Sequence, residues 1–359
     1  MTEHMGRAAM EHDASRGSSP RSRSSREDEL AHAGGSNQTP TLGSGDFTYR
    51  PVPDWPRLPK GWVLSDGAGV GVDKLDRVYL FHRGNPPVLV FDRDGNLEDA
   101  WGHGVFTRPH AVHIAPDDTI FLTDDGDHSV RQCTPQGRVL LTIGRPGQPS
   151  AAHSGEPFNR CTHTALSPGG DIYVSDGYGN ARVHKFAPDG RHLFSWGGPG
   201  TGPGEFNLPH NITCDDDGWV YVADRENHRI QVFDPLGRFE TQWHNLHRPS
   251  GLFTARGSRP LSYVAEIGPY LGGNLGWPNL GPRISILSAD GDVMVRLCVE
   301  PSAGTDPGQF ISPHSIALDS SGAIYVGDVA FTGWPSLFPH RPLPEKLPLI
   351  QKFVKVSSD

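Results

Sequence analysis

The sequence predicts an all-β fold, a six-bladed β-propeller with four antiparallel strands in each blade, from two observations. The first is one sequence register that recurs six times, in copies that begin 40 to 64 residues apart. Repeats of this size that each contain four short strands are typical of propeller blades. The second is composition, because 44 glycines and 33 prolines in 359 residues suit many short strands joined by turns.

Each copy combines an apolar strand, an Asp- or Gly-containing turn, a second strand of four residues and an acidic residue. In four copies the first position and the acidic residue are 14 residues apart: His110 and Asp124, Thr162 and Asp176, His210 and Asp224, His314 and Asp328. The first copy is degenerate and pairs Ala68 with His82 at the same offset. In the fifth copy Ser250 and Glu266 lie two residues further apart, which predicts an insertion in that blade.

Closure of the ring is predicted to involve the N-terminal part of the chain. The sixth copy is followed by a Pro-rich insertion and by LIQKFVKV, which supplies a third strand but no fourth. We therefore expect a segment near Phe47–Val52 to form the missing outer strand and leave no exposed strand edge. Residues 1–45 are rich in Ser, Arg and Gly and are predicted to be a disordered leader, so the propeller is assigned to residues 46–359.

Charge and hydropathy narrow the classes of function. A formal net charge of −9 disfavours a nucleic-acid partner. No apolar stretch is long enough to span a membrane, and the N-terminus lacks the apolar region of a secretory signal, so a cytoplasmic location is expected. The four cysteines form no CxxC motif, and we expect them to be reduced.

The first position of the register carries the candidate metal ligands. In a propeller this position lies near the mouth of the central channel in every blade. In chain order it holds Ala68, His110, Thr162, His210, Ser250 and His314. Because the histidines fall in alternate blades of a six-fold ring, they should converge on the axis with trigonal symmetry. Three histidines with an open fourth position suit a catalytic zinc, and imidazole also binds other divalent transition metals.

A second set of candidates follows the acidic position. Arg83 in blade one and Arg225 in blade four come directly after it, and Tyr178 in blade three lies one place further on. The register places all three near the histidines. A guanidinium group suits a carboxylate, and a tyrosine beside arginines and a metal suits a general base. Ion pairing of Arg225 with a neighbouring carboxylate, or simple packing of Tyr178, would also account for these residues.

Several motifs resemble a known family. VYLFHRG, RPHAVHI, YVSDGYGNARV, LPHNI, YVADRENHRIQVF and SPHSIAL with YVGD are similar to the peptidylglycine α-hydroxyamidating lyases and their NHL-repeat relatives. The resemblance spans all six copies and is weakest in the fifth. It implies a six-bladed propeller of NHL type in which His110, His210 and His314 bind zinc. It also implies a catalytic role for Tyr178 and functional roles for Arg83 and Arg225.

The same resemblance implies a lyase that splits the N–C bond of a peptidyl α-hydroxyglycine into an amide and glyoxylate. The positions that depart from the family include Ser315 and His163. Ser315 stands where the family has an aspartate for a structural calcium, so the resemblance does not carry this calcium over. His163, in CTHTA, replaces a residue of a different type next to the channel position, and we expect it to contact substrate or to be a packing residue.

Three functions follow from these features. The first is a metal-dependent carbon–nitrogen lyase acting on a small α-hydroxylated amide or carbinolamide that carries a carboxylate. The second keeps the zinc but hydrolyses an ester, lactone or amide. The third is a non-enzymatic NHL propeller that binds a protein or RNA partner, since fold alone does not decide function.

Overall fold

The structure, a computed structural model, describes residues 39–257 and 259–356. Within them the strands form six four-stranded antiparallel sheets, which confirms the predicted six-bladed propeller. In every sheet the innermost strand, which we call the first strand of the blade, contacts the first strands of the two neighbouring blades. The ring is therefore closed. Clusters of apolar side chains lie between adjacent blades; one of them joins Tyr79 and Phe81 of blade one to Val112 and Leu122 of blade two.

The strands follow the predicted order along the chain. The N-terminal strand of the described chain, β1 (Tyr49–Pro51), is the outer strand of blade six. Blade one contains β2 (Gly67–Val72), β3 (Val78–His82), β4 (Val88–Phe91) and β5 (Leu97–Trp101). Blade two contains β6 (Pro109–Ile114), β7 (Ile120–Asp124), β8 (Ser129–Cys133) and β9 (Val139–Gly144). Blade three contains β10 (His163–Leu166), β11 (Ile172–Asp176), β12 (Arg182–Phe186) and β13 (His192–Trp196).

The remaining three blades repeat this pattern. Blade four contains β14 (Pro209–Cys214), β15 (Val220–Asp224), β16 (Arg229–Phe233) and β17 (Phe239–Trp243). Blade five contains β18 (Pro249–Thr254), β19 (Ser262–Glu266), β20 (Arg283–Leu287) and β21 (Val293–Leu297). Blade six contains β22 (Pro313–Leu318), β23 (Ile324–Asp328) and β24 (Ile350–Lys355), with β1 as its outer strand. The described part of the chain contains no helix long and apolar enough to cross a membrane.

The ring closes as the sequence predicts. Strand β1 pairs with β24 in the antiparallel direction, with Tyr49 opposite Lys355 and Pro51 opposite Phe353. Leu42, within the predicted leader, is 1% exposed and exchanges two backbone hydrogen bonds with Tyr49. The packed part of the chain therefore begins by Leu42 and not at residue 46. Residues 1–38, where the rest of the predicted leader falls, lie outside the described residues.

A β-bulge marks the first position of the register in five blades. In blade two, Pro109 pairs with Asp124 and Ala111 with Thr123, so His110 is an extra residue without a partner across the ladder. The same shift occurs at Ala68, His210, Ser250 and His314. Because a bulge turns its residue away from the regular alternation of the strand, it directs these positions into the channel.

The acidic position has a structural role. Asp124 accepts hydrogen bonds from the backbone N–H groups of Thr107 and Arg108, at 2.6 and 2.9 Å, in the loop that leads into the same blade. Asp328 accepts from Ile311 and Ser312 in the same way. In these blades the acid thus fixes the loop that precedes the first strand.

Two features depart from a regular blade. In blade five, Pro249 pairs with Glu266, two residues further along than in the other blades, which confirms the predicted insertion and places it in the turn between β18 and β19. The Pro-rich insertion of blade six contains a helix that the sequence did not predict, α1 (Ala330–Leu337), with Pro335 in its last turn. Its Ala330 and Trp334 pack on Ile311, next to the channel mouth.

Candidate metal centre

The bulges bring three histidines of alternate blades together on the propeller axis. The ring centroids of His110, His210 and His314 lie 4.6 to 4.9 Å apart. One ligand nitrogen of each lies within 4.8 Å of the others, and all three side chains are buried. This arrangement can hold a single metal ion.

Each histidine is oriented by the backbone of the following blade. The Nδ1 of His110 lies 2.6 Å from the carbonyl oxygen of Thr162, that of His210 lies 2.9 Å from Ser250, and that of His314 lies 2.7 Å from Ala68. Thr162, Ser250 and Ala68 are the first-position residues of blades three, five and one, and we call their carbonyl groups the anchor carbonyls. Because a carbonyl only accepts, each Nδ1 must carry the proton, which leaves the Nε2 lone pair for a metal.

The electrostatics also suit metal binding. Burial lowers the pKa of His110 and of His210 well below its usual value, and the neighbouring histidines and arginines lower it further. Burial together with the charge of Arg83 has the same effect on the pKa of His314. All three imidazoles are therefore neutral at physiological pH, as a metal ligand must be.

Tyr178 lies directly against this centre. Its hydroxyl is 3.1 Å from the Nε2 of His110 and 3.2 Å from the Nε2 of His210. Guanidinium carbons of Arg160 and Arg225 lie 4.5 and 5.7 Å from the centroid of its ring. The phenolic oxygen is thus held where it reaches any group that the Nε2 atoms bind.

The two predicted arginines lie at the same mouth of the channel. Arg83 donates from Nη1 to Asp66 at 3.0 Å and to Thr332 of α1 at 3.1 Å. Arg225 donates from Nε to Glu226 at 2.8 Å. This is the ion pair with a neighbouring carboxylate that was the alternative explanation for this residue. Although burial lowers the pKa of Arg225, the adjacent Tyr178 and Glu226 raise it overall, so this side chain keeps its positive charge.

Three further arginines lie at this mouth and were not predicted from the sequence. Arg108 and Arg160 both contact Asp125, and Arg248 donates to Glu226. With Arg83 and Arg225 they form a set that we call the mouth arginines. The signal for the three was available in the register, because Arg108, Arg160 and Arg248 each stand two residues before the first position of their blade. The five cations contact three carboxylates, Asp66, Asp125 and Glu226, so this set of ion pairs carries an excess of positive charge.

His163 and Ser315 lie one residue deeper in the channel. Both line a narrow space directly beneath His110, His210 and His314, and Tyr178 and the mouth arginines do not line it. The Nδ1 of His163 and the Oγ of Ser315 are enclosed and have no hydrogen-bond partner among the described residues. His163 therefore lies behind the histidines, away from the mouth where a substrate would enter.

The fold and the site define this protein as a closed six-bladed β-propeller with three convergent histidines on its axis. Comparisons with known proteins agree with this fold. Residues 158–186 and 206–233 match the NHL repeat. The chain is 32% identical over 295 residues to human NHL repeat-containing protein 3, an alignment that covers 78% of this chain and 81% of that protein. The chain belongs to the NHL-repeat propeller family that includes NHL repeat-containing protein 3.

Two other comparisons extend this picture. The chain is 30% identical over 259 residues to peptidyl-alpha-hydroxyglycine alpha-amidating lyase 1 of Drosophila melanogaster, covering 66% of this chain and 45% of that protein. Among solved structures, a streptogramin B lyase superimposes with a TM-score of 0.54 at 14% identity, over 82% of this chain and 96% of that one. The superposition shows the shared fold, and the lyase alignment shows homology with an amidating lyase.

Proposed function

We propose that this protein is a metal-dependent carbon–nitrogen lyase that cleaves a small α-hydroxylated amide carrying a carboxylate into an amide and an aldehyde. The observation that carries the proposal is the position of the Tyr178 hydroxyl, 3.1 and 3.2 Å from the Nε2 atoms of two convergent, neutral histidines. Homology with an amidating lyase supports it. NHL repeat-containing protein 3, which is about as similar to this chain as the amidating lyase is, is named only for its repeat. The proposed activity therefore rests on the residues of the site.

The three histidines are suited to hold zinc or another divalent transition metal, which when bound would polarise a substrate oxygen as a Lewis acid. The mouth arginines are suited to bind and orient the carboxylate, because a guanidinium group matches its two oxygens. Helix α1 contributes Thr332, which accepts a hydrogen bond from Arg83 and so helps to hold this side chain in place.

The reaction needs a proton to move from oxygen to nitrogen. The hydroxyl proton of the substrate leaves, the C–O bond becomes a carbonyl, and the C–N bond breaks with its electron pair on nitrogen. That nitrogen takes up the proton, so no water is consumed. The phenolic oxygen of Tyr178 is placed to accept the hydroxyl proton and to return it to the nitrogen.

The test is a direct assay with an N-acylated α-hydroxyglycine, combined with metal analysis of the purified protein. We expect about one equivalent of a divalent transition metal and equal amounts of amide and glyoxylate. Removing a positioned general acid–base costs about 10²- to 10⁴-fold in rate, so Tyr178→Phe should lower kcat by at least about 10² with metal content unchanged. His210→Ala should lose both the metal and the activity.

The matched control is Tyr221→Phe. Tyr221 is a buried tyrosine, and its hydroxyl donates to Asp215 at 2.8 Å in the turn between β14 and β15, away from the histidines. It should retain full activity. Wild-type activity in Tyr178→Phe, or purified protein without tightly bound metal, would contradict the proposal. If the protein hydrolysed esters or lactones and did not turn over the hydroxylated amide, the result would favour the hydrolase instead.

A further inference from the structure

The opposite end of the central channel contains a separate cavity, which we call the far cavity. Its volume is about 290 Å³. The walls include the last residues of five first strands, Val72, Ile114, Cys214, Thr254 and Leu318. Four residues of strand separate His110 from Ile114, or about 13 Å at about 3.3 Å per residue. The far end of this cavity is therefore remote from the candidate metal centre, while its near end reaches His163, which also lines the narrow space beneath the three histidines. Neither Tyr178 nor a mouth arginine lines the far cavity.

Two imidazoles with unpaired nitrogens line this cavity. His163 is only 8% exposed, and its Nδ1 has no hydrogen-bond partner among the described residues. The Nε2 of His113, on the neighbouring blade, is enclosed and equally without a partner. Both nitrogens are enclosed, so a ligand in the cavity reaches them only when the imidazole rings turn. A buried polar atom that lacks a partner costs about 1–3 kcal/mol, and a ligand that pairs with either nitrogen after such a turn would recover that free energy.

The groups around the cavity favour an uncharged ligand. Burial lowers the pKa of His163 to about 4, and burial together with His163 lowers that of His113 to about 3, so both imidazoles are neutral near pH 7. Arg256, on the rim, pairs with Asp216 at 3.2 Å. Asp215, also on the rim, accepts from the backbone N–H of Trp219 at 2.8 Å as well as from Tyr221.

The rest of the lining is largely apolar. Val70, Val112, Leu252, Phe253 and Ile316 supply aliphatic and aromatic surface. The hydroxyls of Thr213 and Thr254 lie 2.8 Å apart and satisfy each other. A neutral imidazole offers one donor and one acceptor nitrogen, which a hydroxyl can match in either direction.

We propose that the far cavity is a second ligand-binding site, which takes a small uncharged hydroxyl compound whose apolar body packs on the aliphatic wall and whose hydroxyl pairs with His163 or His113. The volume lies near the lower end of the range for ligand pockets, about 300 Å³, and fits a molecule with a single ring. This site is independent of the proposed lyase activity and needs no metal.

Phenol and benzene are the paired probes, because they differ only in the hydroxyl. Binding to the full-length protein is measured by nuclear magnetic resonance, from the imidazole signals of His113 and His163. Phenol should bind at one site, move both sets of signals, and bind at least about threefold more tightly than benzene, the ratio expected from one net hydrogen bond. Equal affinities for the two probes, or no shift of either histidine with phenol, would overturn the proposal.

Variants locate the binding. His163→Phe fills the space and removes the unpaired nitrogen, so it should weaken phenol binding at least about tenfold. If this variant does not fold, as judged by its melting temperature, His113→Phe on the neighbouring blade provides the same test. His244→Phe is the matched control, because His244 is exposed at the end of an outer strand. Phenol binding that survives both His163→Phe and His113→Phe would overturn the assignment.

Discussion

A single methyl group at Gly69 is expected to disturb the metal centre without touching any of its ligands. Gly69 follows the bulged Ala68 on β2 and faces the first strand of blade two. A Cβ atom at this position would lie 2.8 Å from the backbone nitrogen of Val112 and 2.9 Å from the carbonyl carbon of Ala111. Ordinary contact begins at 3.4 Å, so β6 would have to move by 3.4 − 2.8, or about 0.6 Å.

The displacement should reach His110, because this residue directly precedes Ala111 on the same strand. Metal ligands tolerate only about 0.2 Å of error in distance. Gly69→Ala should therefore lower metal affinity by about 10- to 100-fold, the scale seen when supporting contacts of a ligand are lost. Overpacking should also lower the free energy of unfolding by about 1–3 kcal/mol.

Metal affinity is measured by competition with a chelating dye, and stability by urea denaturation. Gly198→Ala is the control, because nothing lies within 4 Å of its added Cβ and the backbone needs no positive φ. It should leave both quantities unchanged. If Gly69→Ala retained wild-type stability and metal affinity, β2 would not fix the position of β6, and the link between blade packing and ligand geometry would be refuted.

Three other perturbations test separate parts of the structure. Leu42→Ala should lower the free energy of unfolding by about 2–5 kcal/mol in urea denaturation, because Leu42 is fully packed beside the closing strand. Although burial raises the pKa of Glu226, Arg248 and Arg225 lower it to about 2, so its contribution to stability is present above pH 4.5 and lost as the pH falls toward 2. Between pH 7 and pH 3 the wild type should therefore lose up to about 2 kcal/mol more stability than Glu226→Gln in urea denaturation. Chelation should lower the melting temperature of the wild type and not that of His210→Ala, because only a folded site binds metal.

Much of the fold could be predicted from the sequence because each blade repeats the same spacing. A constant offset of 14 between the first position and the acidic residue fixes two antiparallel strands and their turn, and six copies fix the ring. The two-residue delay of Glu266 gave the insertion in blade five correctly. Helix α1 was missed because its segment, AFTGWPSL, contains a glycine and a proline and has no flanking signal typical of a helix.

The candidate site could be predicted only as far as the register reaches. Residues at equivalent positions of different blades lie at equivalent heights, so the convergence of His110, His210 and His314 follows from spacing. The positions of Arg108 and Arg160 follow the register, but their contacts with Asp125 depend on side-chain conformations that spacing does not determine. The anchor carbonyls depend on backbone conformation, which leaves no trace in the residue types.

The contacts between neighbouring first positions explain why histidines occupy alternate blades and not adjacent ones. The first position of each blade offers two groups near the channel, a side chain and a carbonyl oxygen. In blades two, four and six the side chain is the histidine, and in blades three, five and one the carbonyl accepts its Nδ1 proton. The residues that offer these carbonyls, Thr162, Ser250 and Ala68, are fully buried and small, which leaves the channel volume to the imidazole rings. Six equivalent positions thus divide into three candidate ligands and three supports, and this division turns a six-fold scaffold into a three-fold candidate site.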